Sequence, residues 1–353
     1  MYSGFFNRII MRLFQRNIGL NSRPALLAAF GLLAIGCNAP LMAAQLRPEV
    51  NVFIGEMVER HGFEQAKLAR IFRTAQFQPA IIRAISQPST ARPWHEYRPM
   101  FVNARRTAGG VIFWNNHAAT LEQAHKEYGL PEEIVTAVIG VETIYGAQTG
   151  KHRVLDALVT LAFDYPRRAE FFRDELEQYL LLTREQGTDA LNLRGSYAGA
   201  IGIPQFMPSS YRRYAIDFDG DGRKELLHSP ADAIGSVANY LKVFGWEAGQ
   251  AVVMRAQISG EGYQEALAAG IKPSLTLAQM KQLGVTPLVQ TTDLAGDRLA
   301  ALFVLESKDG PEYWLGFNNF YVITRYNRST YYAMSVLQLA EAIRAARNGG
   351  NGF

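Results

Sequence analysis

The chain has 353 residues, more than one average domain, and its length calls for two or three packed units. A hydrophobic content of 48% and a charged content of 19% exclude a disordered or fibrous protein. The formal charge is +4, and Arg8, Arg12, Arg16 and Arg23 stand before Cys37 with no acid among them. Residues 1–36 therefore carry the whole excess, and the near-neutral remainder argues against a nucleic-acid surface, which needs clustered Lys and Arg on the folded part.

The leader, residues 1–36, pairs this basic stretch with an apolar run, PALLAAFGLLAIG. The run is too short and too rich in small residues for a membrane span, and it reads as a secretory signal. Cys37 is the only cysteine, so no intramolecular disulfide forms. AIGC resembles the processing box of bacterial lipoproteins, although Ala34 stands where Leu is usual and Leu33 lies one place further off. Lipidation at Cys37 would anchor the protein in a membrane; signal cleavage near Ala43 or Ala44 would release it.

Apolar residues at helical spacing predict helices over Pro48 to His61 and Phe63 to Ala75, separated by Gly62. SQPSTARPWHEYRP (86–99) reads as a proline-rich connector packed down by Trp94, Tyr97, Phe113 and Trp114. A helical block is expected from about Asn115 to Gly245, with a long helix after Pro166 carrying Phe172, Leu176, Tyr179, Leu180 and Thr183 in a stripe. Four runs rich in β-branched and aromatic residues follow: 250–258, 299–307, 311–317 and 319–326. Lys308-Asp309-Gly310 marks a hairpin between two of them. A short helix is expected between Thr276 and Gly284, and a last one from about Ser329 to Arg347. The expected fold is mainly α (α+β).

One acid is out of place. In PEEIVTAVIGVETIYG (131–146), Glu142 falls on the arc of Ile134, Val135, Val138, Val141 and Tyr145. A carboxylate on an apolar face is costly unless paired or protonated. Desolvation would keep it protonated near neutrality, as a general acid must be; the alternative is a buried Glu holding a structural partner. DFDGDGRKELLH (217–228) fits the first half of an EF-hand loop. Asp217, Asp219 and Asp221 take positions 1, 3 and 5, Gly222 takes position 6, and the Arg223 carbonyl takes position 7. His228 stands where the bidentate Glu is expected.

Several long motifs then occur in order: GVETIYGAQTG, LDALVTLAFDYPRRAEFFRDELEQYLLL, GSYAGAIGIPQFMPSSYRRYAIDFDGDG, PADAIGSVANYLKVFGW and FYVITRYNRSTYYAMSVLQLA. From roughly Pro48 to Ala340 the chain resembles the membrane-bound lytic murein transglycosylase B family. The resemblance implies a lysozyme-like core with an added helical domain and a small antiparallel β domain. It divides the chain into 47–130 (N-terminal helical), 131–249 (catalytic core), 250–325 (small β) and 326–347 (a segment returning to the core). It implies cleavage of the β-1,4 bond between N-acetylmuramic acid and N-acetylglucosamine in peptidoglycan without water, leaving a 1,6-anhydromuramyl end.

By the same resemblance Glu142 is the acid and then the base, and no second catalytic carboxylate is required; neither Asp156 nor Asp164 is assigned as a nucleophile. Ser196 and Gln205 match cleft-wall positions. Gly195, Ala198, Gly199, Ala200 and Gly202 would let the backbone approach the glycan, or serve only close packing. Tyr240 matches a tyrosine near the acid, and Tyr326, Asn327 and Tyr332 match cleft residues. The family's longer loop closes on a later Asp, here Asp232, with a structural Ca²⁺; the alternative for Asp232 is to cap the helix that Ser229 opens. The protein is thus expected on the periplasmic face of the envelope, as an outer-membrane lipoprotein or a soluble periplasmic enzyme. A hydrolytic muramidase and a non-catalytic peptidoglycan-binding scaffold remain as alternatives.

Overall fold

The computed structural model describes residues 45–86, 92–289 and 295–349, so the leader and Cys37 lie outside the described residues. Pro48 at the first position and Gly62 in the left-handed region (φ 64°) bracket helix α1 (Pro48–His61). Helices α2 (Gln65–Arg73) and α3 (Pro79–Ile85) follow, and α3 packs on α8 (Val154–Asp164). Between α2 and α3 the backbone is tied to α8. The amide of Gln76 donates to Asp156 Oδ1 at 2.9 Å and that of Gln78 to Thr160 Oγ1 at 2.9 Å.

The stretch expected as a connector is partly helical. Pro93 is extended and opens α4 (Trp94–Phe101), and Trp94 and Tyr97, three apart, both bury against Tyr331. Turn residues describe local preference; here a distant aromatic ring decides. Helices α5 (Ala104–Asn116) and α6 (Ala118–Tyr128) lead to α7 (Glu132–Thr143). All residues of α7 from Ile134 to Val141 are buried, so it is not amphipathic but central. It is wrapped by α5, α6, α11 (Pro230–Val243) and α15 (Thr330–Gly349). The long helix after Pro166 is α9 (Ala169–Glu185), with Phe172, Leu176, Tyr179, Leu180 and Thr183 all buried. Short strands β1 (His152–Arg153) and β2 (Arg194–Gly195) pair antiparallel, β1 against α8, and α10 (Pro208–Tyr214) packs on α9.

The late sheet is five-stranded and antiparallel, in the order β4 (Leu275–Thr276), β6 (Leu299–Ser307), β7 (Gly310–Gly316), β3 (Val253–Ile258), β5 (Val285–Pro287). Helices α12 (Tyr263–Ala268) and α13 (Leu277–Gln282) cover it. β6 alternates between two cores. Ala300 and Leu302 face a small core with Leu315 and Phe317, whereas Phe303 and Leu305 join the main helical core. Phe303 stacks on Phe320, centroids 4.5 Å apart and 6° between planes.

The fourth strand-like run is a correction: residues 319–326 lie in helix α14 (Asn318–Tyr326). Its β-branched residues are overridden by burial of Asn319, Phe320, Ile323 and Thr324 at helical spacing. The Asn319 side chain donates to the carbonyls of Glu247 (2.8 Å) and Gln250 (3.1 Å) and accepts from the Glu247 amide (2.9 Å). A strand would not aim that amide into the turn after α11.

Candidate active site

Glu142 stands in the last turn of α7, beside the unpaired carbonyls that make a helix C-terminus negative. After Thr143 the chain reverses through three left-handed residues, Ile144 (φ 52°), Tyr145 (φ 58°) and Gly146 (φ 86°). A β-branched residue in that region is strained and needs the surroundings to hold it. Two ties do so. Thr143 Oγ1 donates to the Ile203 carbonyl at 2.8 Å and accepts from the Gly146 amide at 2.9 Å. Tyr145 folds back beneath the helix, its hydroxyl donating to the Arg106 carbonyl at 2.6 Å. The slot for its ring exists because Gly109, Gly110 and Gly140 carry no side chain; a Cβ on Gly140 would lie 2.5 Å from the Tyr145 hydroxyl.

The carboxyl of Glu142 is half-buried. Tyr332 Oη, from α15, donates to its Oε1 at 2.6 Å. The Arg106 guanidinium donates to the carbonyls of Gly140 and Val141 at the helix end, and places a positive charge near the acid. Burial pushes the Glu142 carboxyl up to about 7, against the opposing pull of the Tyr332 hydrogen bond and the Arg106 charge. The group is thus poised to give and take a proton near neutrality.

An aromatic cluster backs the acid. The rings of Tyr326 and Tyr332 lie nearly parallel, 6.3 Å apart, and Tyr326 donates to the Pro204 carbonyl at 2.5 Å. Opposite stands the loop 195–206. Ser196 Oγ accepts from the amides of Ala198 (3.3 Å) and Ala200 (3.0 Å) and so shapes the loop. Gln205 is left-handed (φ 52°), and its Nε2 donates to the carbonyls of Thr149 (3.0 Å) and Gly202 (2.8 Å). Both neighbours are acceptors, which orients the amide and leaves Oε1 as its uncommitted end.

The aspartate loop follows α10. One carboxylate oxygen from each of Asp217, Asp219 and Asp221 lies within 4.8 Å of the others. Asp217 accepts from the amides of Gly220 and Gly222, both at 2.8 Å, and Asp221 accepts from the Arg223 amide at 2.8 Å. Three like charges gathered this way suit a hard cation taken by oxygen ligands. Asp232 stands in a clamp's position: its Oδ1 accepts from the Phe218 amide (2.8 Å) and its Oδ2 from the Glu225 amide (2.7 Å). It is buried, outside the group of three, and its own amide is capped by Ser229.

Residues 45–341 match the family described as the transglycosylase SLT domain. The chain belongs to this family. It is 44% identical over 310 residues to the membrane-bound lytic murein transglycosylase B of Escherichia coli, covering 85% of this chain and 84% of that protein. Its structure is similar to that of the Escherichia coli lytic transglycosylase Slt35 in complex with calcium, with a TM-score of 0.77, 43% identity, and 85% and 94% of the two chains covered. It is also similar to SltB3 from Pseudomonas aeruginosa in complex with NAG-anhNAM-pentapeptide, with a TM-score of 0.73, 32% identity, and 84% and 79% covered. The chain is therefore an enzyme, a lytic murein transglycosylase.

In this SLT transglycosylase the residues expected around the acid take unequal parts. Tyr332 touches Glu142. Tyr326 stands beside Tyr332, and Tyr240 stands behind Tyr326 (centroids 4.9 Å), its hydroxyl spent on the Arg325 carbonyl at 2.6 Å. Asn327 caps α14 and is exposed. The small residues of the wall pack on protein: a Cβ on Gly195 would lie 2.1 Å from the Ala200 carbonyl oxygen, and one on Gly202 would lie 2.3 Å from that of Leu226. Two residues near the acid were not expected there from the sequence, in which Tyr97 had only a packing role. Tyr97 is buried, and its hydroxyl is pushed up to about 12 by burial and then by the charge of Glu142. Arg106 holds the end of α7. Only the aromatic crowding of 94–101 and a lone Arg pair before a Gly pair hinted at them.

Because Tyr332 stabilises the carboxylate, Tyr332→Phe raises the Glu142 pKa further. The expected result is an alkaline limb of the pH–rate profile displaced to higher pH, with the melting temperature close to wild type. An unmoved limb would show that the hydrogen bond is not made in solution.

Proposed function

We propose that this enzyme cleaves the MurNAc-β-1,4-GlcNAc bond of peptidoglycan without water, with Glu142 as the only catalytic carboxyl. Tyr332 occupies Oε1, so Oε2 carries the proton to the glycosidic oxygen as the C1–O bond breaks. The acetamido oxygen of the muramyl residue stabilises the cationic C1. The Glu142 carboxylate then takes the proton of the C6 hydroxyl as that oxygen attacks C1, closing the 1,6-anhydro ring. The enzyme ends as it began, protonated.

The observation that carries this reading is a half-buried acid poised near neutrality, with the two aspartates that follow it in sequence already engaged elsewhere. Asp156 accepts from Gln76, Gln78 and Arg153, and Asp164 pairs with Arg47 at 2.8 Å. Most glycosidases instead use two carboxylates across the bond. The ligand of the SltB3 structure, an anhydro sugar, is of the kind such a reaction releases. Purified sacculi digested with the enzyme and analysed by mass spectrometry should yield anhydromuramyl ends. Reducing muramic acid would establish hydrolysis instead, and intact sacculi would leave a binding scaffold.

The same reading places Ser196, Gln205 Oε1, Tyr326 and Asn327 along the sugar-binding cleft, and Tyr240 behind it as support. It gives the loop a structural Ca²⁺ held by Asp217, Asp219, Asp221 and the Arg223 carbonyl, with Asp232 clamping the loop's two ends. The loop runs into Leu226, whose carbonyl receives the Ile203 amide at 2.7 Å, so a bound ion would stiffen the cleft wall. At a thousandfold excess over its Kd the ion would add about 4 kcal/mol of stability. Chelation is expected to lower the melting temperature of the wild type and leave Asp219→Ala unmoved; equal responses would refute the site.

Among the described residues no helix is long and apolar enough to cross a membrane. Lipidation at Cys37 on the periplasmic side would hold the enzyme near its substrate. Palmitate labelling lost in Cys37→Ser is the expected result, and an unlabelled wild type speaks for the soluble form.

A further inference from the structure

The corner between α14 and α15, which carries Tyr326 and Asn327, has a second side. There the helical body meets the turn after α12, and a cavity of about 710 Å³ opens, lined by Ile271, Lys272, Tyr321, Arg325, Arg328 and Tyr331 among others. Its lining holds three cations and no acid. A second cavity continues from it past Lys272 and Tyr321 to Arg298 and takes in one acid, Glu247, whose carboxylate accepts from the Asn318 side chain at 3.2 Å. None of Lys272, Arg298, Arg325 and Arg328 forms an ion pair among the described residues. Arg325 is held over the Phe244 ring at 5.2 Å, and Arg298 over Phe317 at 4.5 Å. Stacking fixes the guanidinium planes while leaving their N–H edges for a ligand.

We propose that this basic groove binds the carboxylates of the short peptide borne by the glycan strand, so that the enzyme reads peptide as well as sugar. The inference rests on the peptidoglycan substrate proposed above. Three features favour a peptide over a small inorganic anion. The cavity has the volume of a site for a drug-sized ligand, far more than a phosphate fills. Its cations are spread along a groove, with Lys272 shared by both cavities and Arg298 and Arg328 on either side. Ile271, Tyr321 and Tyr331 supply apolar surface between the charges, which a peptide's side chains use and a free anion does not. Position agrees as well. Arg325 precedes Tyr326, and its carbonyl receives the Tyr240 hydroxyl, so the groove begins one residue from the ring that backs Glu142. A strand lying in the cleft would carry its peptides past this corner.

The test uses the mature enzyme with Lys272 and Arg328, both exposed and outside the catalytic cleft, changed together to alanine (K272A/R328A). Activity is measured on soluble peptide-bearing glycan strands and on the same strands stripped of peptide by an amidase. Exposed ion pairs are worth up to about 1 kcal/mol each, so loss of two is expected to raise KM on peptide-bearing strands by about three- to thirtyfold. kcat should stay unchanged, as should KM on stripped strands. In parallel, a synthetic pentapeptide with free carboxylates is titrated by calorimetry, and its binding should weaken in K272A/R328A and vanish in R328E.

Equal KM changes on both substrates, or none on either, would overturn the proposal. So would binding of anionic phosphatidylglycerol vesicles that K272A/R328A loses while retaining the peptide, which would assign the groove to a membrane surface. If the wild type cut neither strand, the catalytic reading would fall instead, and the peptide titration would still decide the groove.

Discussion

Glu142→Gln is expected to lose cleavage of sacculi by about 100- to 10,000-fold, the usual worth of general acid–base catalysis. The amide keeps the shape and can still accept from Tyr332, but it carries no proton to give. Wild-type activity should itself fall as pH rises through about 7, because only the protonated acid starts the reaction. The stability of the two proteins should diverge with pH. The Glu142 pKa is raised on folding, from 4.5 to about 7, so the folded state holds the proton more tightly. Its contribution is fully present below pH 4.5, declines from there, and is gone above about 7. The loss is up to about 3 kcal/mol, reduced by whatever water reaches the half-open carboxyl. Glu142→Gln removes that decline, so above pH 7 the variant should melt higher than wild type while being inactive. A variant that keeps full activity, or melting curves that stay parallel from pH 5 to 9, would show a freely hydrated carboxyl at this position.

Gly150→Ala should be the most damaging single methyl near the cleft. Gly150 sits where the segment leaving α7 meets the wall. Its φ is 101°, a conformation that L side chains rarely adopt, and an added Cβ would lie 2.1 Å from both the carbonyl carbon and the oxygen of Gly195. Backbone cannot step aside as a side chain can, so the two segments must separate. The neighbouring Thr149 carbonyl is one of two acceptors that orient Gln205, and this tie would go with it. A loss of roughly 4 kcal/mol or more is expected, a drop in melting temperature on the order of 10 °C. Activity should fall even below that temperature, because the wall no longer stands against Glu142. Circular dichroism melts and sacculus digestion at 20 °C check both; a variant within 2 °C of wild type and fully active would mean the two backbones do not touch in solution.

The two predictions meet at one construction. Thr143 ties the helix end to Ile203, Ile203 is tied to Leu226, and Tyr211 accepts from the Leu226 amide at 3.0 Å while donating to the Lys224 carbonyl at 2.7 Å. Acid, wall and aspartate loop are thus joined by hydrogen bonds between segments that are far apart in the chain. Each link is buried or half-buried, where an unpaired polar group is expensive, so the parts hold or fail together.

What the amino-acid order determined by itself was everything that depends on near neighbours. A carboxylate among apolar residues at helical spacing announces itself, because burial of a charge is costly wherever the helix ends up. Alternating aspartates before a glycine bring their oxygens together through local turns alone. The strands 299–307 and 311–317 follow from β-rich runs on either side of a tight turn. The tertiary structure decided the rest. The residue that touches the acid lies 190 positions away, and no local preference reports such a distance. Residues 319–326 have strand-forming side chains but coil into a helix, because Asn319 must fill the turn after α11 and Phe320 must stack on Phe303. Tyr97, from a segment that reads as connector, and Arg106, from the helix after it, come near Glu142 only through packing. Asp232 and the wall glycines are open to two readings in one dimension; in three, Asp232 receives the amides of Phe218 and Glu225, and Gly195 and Gly202 face backbone carbonyls. Short-range order is set by torsion and periodicity, which the chain carries with it; which groups share a buried site is set by packing, and only the folded molecule brings those groups together.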